Sequence, residues 1–418
     1  MKTGCAFFSL ILMCSTSVCY ADSFQDMITS ILAQDGLLKS EYLSIEASRE
    51  ELVPKSFVHL PEVTTSASTS KLHAGSKTQT SSNISLSASA VVFNGGHDSL
   101  VRDVAKKRTQ KLDLEESKKI LDRTATVAQD LIEYVSKSRS LIEREKWLKS
   151  RRSILENAEI RFNKGLLAGE EWIRLKIDFD NAQNEFEQSK LDLNIISGRY
   201  QMDTKQLDQL SWPWLHLLSD KTASSLNSFA TVSSSLDTRI DEVSREASSL
   251  AIKAERRRYF PEFSLSAGIS RNFNEDNLPS DIQKSTTLAV SLPLFSRFQT
   301  ESQINSLIKQ QASEKSRAEY QSSENKRTVE FVIQDIKRLR DRLNKDKGIS
   351  KLARDVMEKS RERFLQGKIS ANDFNSDESR YINLYDSWLK DMESLHKDFI
   401  VFCKNTSTDI FACVESVK

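Results

Sequence analysis

Four short stretches of the chain alternate apolar and small polar residues, and they occur as two pairs. In "FPEFSLSAGIS" the apolar positions are Phe263, Leu265, Ala267 and Ile269, with Ser264, Ser266, Gly268 and Ser270 between them. A period of two predicts a strand with one apolar and one polar face. "LPEVTTSASTS" has the same Pro-Glu start at Pro61 and Glu62, and the same alternation through Val63, Thr65, Ala67 and Thr69, although that face is barely apolar. The partners are "NISLSASAVV", with Ile84, Leu86, Ala88, Ala90 and Val92 on one face, and "TTLAVSLPLF", with Leu288, Val290, Leu292 and Leu294. Each is close to the ~9 to 11 residues of a tilted membrane strand. The polar stretches "SKLHAGSKTQTSS" and "RNFNEDNLPSDIQKS" separate the members of each pair and read as hairpin loops in water.

Elsewhere the periodicity is helical. From His97 to Asn163 there is neither Pro nor Gly, which predicts roughly 100 Å of helix at 1.5 Å per residue. Leu141, Leu148, Leu155 and Phe162 recur every seventh position, and Leu175, Phe179, Ala182, Phe186, Ser189, Leu193, Ile196 and Tyr200 step by four and three. Tyr381, Leu384, Trp388, Met392, Leu395, Phe399 and Phe402 repeat that step. These are coiled-coil seams, and the expectation is core packing between neighbouring helices. Each long segment is broken once by a matching turn, "RFNKGLLAGEEW" from Arg161 and "RFLQGKISANDF" from Arg363.

Hairpin and helical turn therefore repeat together at an interval of about 200 residues, as one unit occurring twice. The boundaries read as a signal peptide at 1–21, a first repeat at 22–200 and a connector at 201–230. A second repeat at 231–405 and a C-terminal tail at 406–418 follow. The first repeat holds a lead-in helix, a β-hairpin over 62–92 and a helical hairpin over 97–200. The second holds a helix, a β-hairpin over 262–294 and a helical hairpin over 299–405. The connector is aperiodic, carries Trp212, Pro213 and Trp214, and is expected to wrap the outside.

Composition narrows the class. Only 11 Gly and 6 Pro among 418 residues point to long helices with a small β part. With 60 basic against 59 acidic residues there is no net field to hold a polyanion, so no nucleic-acid partner is expected. Lys2, an apolar run from Ala6 to Met13 and small residues up to Ala21 fit a cleaved export signal. Cys14 and Cys19 raise a lipoprotein reading, but Met13 and Val18 precede them where a small residue is wanted. Mean hydropathy is −0.47 and no later apolar run suits a spanning helix, so any membrane crossing must use strands. Cys403 and Cys413 remain after signal removal, in an oxidising compartment, either paired or as two thiols. His59, His73, His97, His216 and His396 show no metal-ligand spacing and are expected at the surface. No phosphate loop or nucleophile elbow occurs, so neither an enzyme, a cofactor nor a metal is expected.

Strands in hydrocarbon must close, because every backbone donor and acceptor there needs a partner. Four strands cannot close alone, since single-chain barrels start at eight. Several copies must then contribute to one barrel: two give eight strands with a filled interior, three give twelve with room for a bore.

The stretches "YFPEFSLSAGIS", "LAVSLPLFSRFQTESQI" and "LSASAVVFNGGHDSLVRDVA", with the turns "RFNKGLLAGEEW" and "RFLQGKISANDF", stand in an order that resembles the TolC family of outer-membrane factors. The resemblance covers essentially the whole mature chain. It implies a homotrimer with a twelve-stranded transmembrane β-barrel, four strands per protomer, and a long coiled-coil α-barrel crossing the periplasm. Such a protein is a passive export duct in the outer membrane of a Gram-negative bacterium, serving efflux or type I secretion. Its partners would be outer-membrane lipid, a periplasmic adaptor and an inner-membrane pump. The resemblance places adaptor docking at Arg161, Gly165 and Leu166 and at Arg363, Gly367 and Ile369, with Lys368 departing from the usual Leu. The other reading of the glycines is that they end helices. The family's acidic periplasmic aperture would fall on Asp373 and on Asp377, beside Ser376; acids in a first helical turn can instead simply face the macrodipole. The rival to a channel is a non-channel coiled-coil structural or adhesive envelope protein, which accounts for the heptads but not for paired, membrane-length strands.

Overall fold

The computed structural model describes residues 22–74, 77–200, 207, 210–218, 226, 235–273, 281–294, 298–407 and 409–417. The expected signal peptide, with Cys14 and Cys19, lies outside the described residues, as do most of the connector and the tips of both strand loops. Two compact units share the chain, one built from 36–120 and 234–328 and the other from 1–35, 121–233 and 329–418.

In the first unit, helix α2 (Gly36–Glu50) and the short α3 (Val53–Ser56) lead into β1 (Glu62–Ala74), which is followed by β2 (Lys77–Phe93) and the start of α4 (His97–Asn163). Helix α6 (Leu236–Arg256) leads into β3 (Glu262–Phe273), then β4 (Gln283–Ser291) and the start of α7 (Gln299–Leu365). The four strands form one antiparallel sheet in the order β1-β2-β3-β4. Its register sets Val63 opposite Ala88, Leu86 opposite Ile269, Ala90 opposite Leu265, and Leu265 opposite Leu288, so the four apolar faces merge into one. That face is open to the surroundings: Val63, Leu86, Ile269, Leu288 and Val290 are all exposed. On the other face Thr64 and Ser66 bond to Ser87 at 2.9 Å and Ser85 at 2.8 Å. Thr65, a polar residue on the apolar face, turns its hydroxyl onto the Ser85 carbonyl at 3.3 Å, which satisfies it locally.

Two strand ends differ from the sequence expectation. A bulge between Val91 and Phe93 adds a residue to β2, so Phe93 comes opposite Phe263, with ring centres 6.0 Å apart, and Val92 stays exposed beside it. Strand β4 stops at Ser291, leaving Leu292 and Leu294 outside it; Pro293, with no N–H to give, cannot continue a ladder. Around the helices of this unit, Arg49 bonds Asp113 at 2.7 Å, Lys119 bonds Glu41 at 3.0 Å and Lys107 bonds Glu246 at 2.6 Å, tying α2, α4 and α6 in the lateral order of the strands they serve.

The second unit comprises α1 (Asp22–Gln34), the rest of α4, α5 (Gly169–Arg199), the rest of α7, α8 (Ala371–Thr406) and α9 (Ile410–Val417). The α5 seam holds: Leu175, Ala182, Leu193 and Ile196 are buried, and Phe179, Phe186 and Tyr200 are half-buried. In α8 Tyr381, Met392, Leu395, Phe399 and Phe402 are buried. In α4 the seam is displaced. Leu141, Leu148 and Leu155 are only half-buried and Phe162 is exposed, while Arg151, Ile154 and Ala158 are buried, because α8 packs beside that neighbouring line. The connector does not simply wrap the outside. Trp212 and Trp214 are buried, and His396, expected at the surface, is fully buried against them, with ring centres 5.1 and 6.1 Å away. Its Nδ1 lies 2.7 Å from the Met392 carbonyl, which fixes the tautomer with the proton on Nδ1. Cys403 and Cys413 form a disulfide that staples α9 to the end of α8. Among the described residues no helix is long and apolar enough to cross a membrane.

Candidate functional site

The two helical turns close in the same way. The Gly165 N–H donates to the Phe162 carbonyl at 2.9 Å and the Leu166 N–H to the Arg161 carbonyl at 2.8 Å. At the second turn Gly367 donates to Phe364 and Lys368 to Arg363, each at 2.8 Å. Both are Schellman caps, which need a left-handed residue, and the glycines supply it with φ of 67° and 71°. Both glycines therefore do end helices. Nothing lies within 4 Å of a Cβ added at Gly165, whereas at Gly367 such an atom would sit 3.2 Å from Arg161 Nη2.

That contact brings the turns together. Arg161, from the first turn, lies over the backbone of the second, and Glu171 Oε1 accepts the Ala371 N–H at 3.1 Å. Beneath them Ile154, Ala158, Leu175, Phe364, Ala371 and Phe374 form a buried cluster, with Leu167, Trp172 and Ile369 packed on it. Of the expected docking residues, Leu166 points outward with 68% exposure, Arg363 is exposed, and Ile369 is half-buried in the cluster.

The expected aperture acids have local partners. Asp373 closes a capping box from the third helical position: its N–H donates to Ser370 Oγ at 3.2 Å, and its Oδ2 accepts from Ser370 Oγ at 2.8 Å. Asp377 Oδ2 accepts from Ser360 Oγ at 2.5 Å, which ties α8 to α7.

Next to this cluster lies a polar network that sequence reasoning missed. Arg151 Nε donates to Glu378 Oε2 at 2.6 Å, with both side chains at most 5% exposed, and Arg151 Nη1 lies 3.4 Å from Asp178 Oδ2. The Arg151 guanidinium also lies 5.1 Å from the Trp147 ring centre. Burial raises the Glu378 pKa, against the pull of Arg151 in the opposite direction. Asn375 Nδ2 donates to Asp178, and Tyr381 OH donates to Glu143 Oε1 at 2.7 Å. The available signal was phase: Arg151 precedes Ile154 and Ala158, and Glu378 stands between Phe374 and Tyr381, at core spacing. Among the described residues no group of His, Cys, Asp or Glu could hold a metal ion.

Residues 27–210 match the family described as outer membrane efflux protein. No curated protein sequence matches. Several solved structures share the fold. The CmeC outer membrane channel of Campylobacter jejuni aligns with a TM-score of 0.75 at 12% identity, over 95% of this chain and 89% of that one. The outer membrane protein VceC of Vibrio cholerae aligns with a TM-score of 0.73 at 13% identity, over 93% and 97%. The MtrE outer membrane channel of Neisseria gonorrhoeae gives 0.68 at 17% identity, over 94% and 95%. Residues 27–210 thus match the outer membrane efflux protein family, and more than nine-tenths of the chain shares the fold of these solved structures.

Proposed function

We propose that the chain is the outer-membrane channel component of a tripartite export system, a passive duct that acts as a homotrimer. The observation that carries this reading is the sheet. One face is apolar and exposed, and β1 and β4 each pair on one side only among the described strands. In water the apolar face is unfavourable, and in lipid the two open edges would leave unsatisfied backbone groups at several kcal/mol each. Lipid removes the first cost and identical neighbours pairing at the edges remove the second, and three of them give a twelve-stranded wall with a serine-lined bore.

In this reading the barrel sits in the outer membrane of a Gram-negative bacterium and the helices extend into the periplasm. The helical turns dock a periplasmic adaptor that links the duct to an inner-membrane pump. The open surface at Gly165 and the exposed Leu166 support docking at the first turn, with Arg363 and Gly367 at the second. Arg161 and Ile369 act by joining the turns. Asp373 and Asp377, one helical turn apart on α8, are assigned to the periplasmic aperture, where three-fold symmetry would gather them into a ring that favours cations.

The test is electrophoresis of the detergent-extracted protein with and without heating, together with single-channel recording in planar bilayers. A heat-sensitive trimer that conducts is expected. A monomer, or a protein recovered from the periplasm without detergent, would refute the reading.

A further inference from the structure

We propose that the end of the sheet from which the helices leave is a recognition surface for the phosphate of anionic phospholipids in the periplasmic leaflet, with Arg256 and Arg257 as the contacting groups. This rests on the outer-membrane reading above.

Strands β1 and β3 both run antiparallel to β2, so the segments entering them, 57–61 and 257–261, lie at one end of the sheet. Phe93, at the exit of β2, lies there too. Phe57, Leu60, Phe93, Tyr259 and Phe260 are all exposed at this end and border the sheet with an aromatic and aliphatic belt. Such belts mark the boundary between hydrocarbon and headgroups. The Phe260 side chain is held there by Gly95, where an added Cβ would fall 2.5 Å from Phe260 Cβ.

Three arginines stand directly before the belt, Arg256, Arg257 and Arg258, all exposed. Arg258 Nε is engaged by Glu255 Oε1 at 3.2 Å. The Arg257 guanidinium lies 5.1 Å from the Phe260 ring centre, which fixes it at the level of the belt. The acids at the strand starts, Glu62 and Glu262, belong to the strands themselves. Strand alternation puts Glu62 with Thr64 and Ser66, and Glu262 with Ser264 and Ser266, on the polar face. This end of the sheet thus carries exposed guanidinium groups among exposed aromatic rings. The group found at that depth in a bilayer is the headgroup phosphate, and a planar guanidinium binds it through two parallel N–H donors. The leaflet is the periplasmic one, because the helices leave from this end and the loops lie at the other.

The experiment reconstitutes the full protein in phosphatidylcholine bilayers with and without phosphatidylglycerol, and counts retained lipid by native mass spectrometry. Wild type is expected to retain phosphatidylglycerol over phosphatidylcholine. R256Q/R257Q is expected to lose that preference by about fivefold per guanidinium removed, with its heat-sensitive oligomer intact. Equal retention by wild type and variant, or insertion without preference for phosphatidylglycerol, overturns the proposal and leaves the channel reading standing. Preference for added lipopolysaccharide in place of phosphatidylglycerol also overturns it. Failure of wild type to enter either bilayer overturns both.

Discussion

Replacing Glu378 by alanine removes the 2.6 Å partner of a side chain that is 5% exposed and leaves Arg151 with Asp178 at 3.4 Å and the Trp147 ring at 5.1 Å. Breaking a buried pair typically costs about 3 to 5 kcal/mol, because the surviving charge stays buried without its counterpart. Asp178 is 31% exposed on its side chain and remains in place, so the lower end, about 3 kcal/mol, is the expected cost. That is roughly a 150-fold rise in local opening of the helices around the turns. Arg151→Met/Glu378→Leu removes both charges together and is expected to be near neutral, since two apolar side chains replace a costly desolvated pair. The assay is hydrogen–deuterium exchange of the intact oligomer, followed in peptides covering residues 147–163 and 371–385. Exchange in Glu378→Ala within about twofold of wild type, or a double variant as labile as the single one, would refute the view that the pair is energetically coupled.

Four further outcomes are expected. Gly165→Ala and Gly367→Ala each force a left-handed conformation at about 1 to 3 kcal/mol. The second also crowds Arg161 at 3.2 Å, so equal thermal shifts would deny the contact between the turns. Losing the disulfide by Cys413→Ser should cost roughly 2 to 3 kcal/mol and expose residues 407–417 to protease, and an unchanged digestion pattern would count against the staple. Asp398 is pushed up to about 7, by burial first and then by the hydrogen-bonded Asp335, with Arg338 opposing. The folded state therefore holds a proton that the unfolded chain gives up near pH 4, so this group's contribution falls as pH rises from about 4 to about 7. Asp398→Asn should flatten that part of a stability-versus-pH curve, and an unaltered slope would contradict it. On the sheet, Leu265→Arg should cost about 2 to 4 kcal/mol in the bilayer and depress the yield of oligomer, whereas Ser266→Arg on the opposite face should be tolerated.

The sheet and the turns were legible because their determinants are local. Alternation along Phe263 to Ile269 is enough to make one face apolar, since the strand backbone sends successive side chains to opposite sides. Gly165 and Gly367 mark the ends of α4 and α7 because left-handed φ is a property of single residues. The displaced β4 end at Pro293 was equally local, and was hidden only by the apolar residues on either side of it. The bulge between Val91 and Phe93 was not legible, because it depends on how β3 meets β2.

The same division runs through the helices. Sequence by itself determined the duplicated plan, the helix lengths, the apolar strand faces and the turn positions, all set by spacing within a few residues. Tertiary structure decided which face of α4 is buried, that Arg161 of one turn lies on Gly367 of the other, that His396 is enclosed by Trp212 and Trp214, and that Arg151 meets Glu378 across 227 positions. A charged or imidazole side chain is stable in a core only when a partner from elsewhere satisfies it. The identity of that partner depends on which distant segments pack together, and no local pattern encodes it.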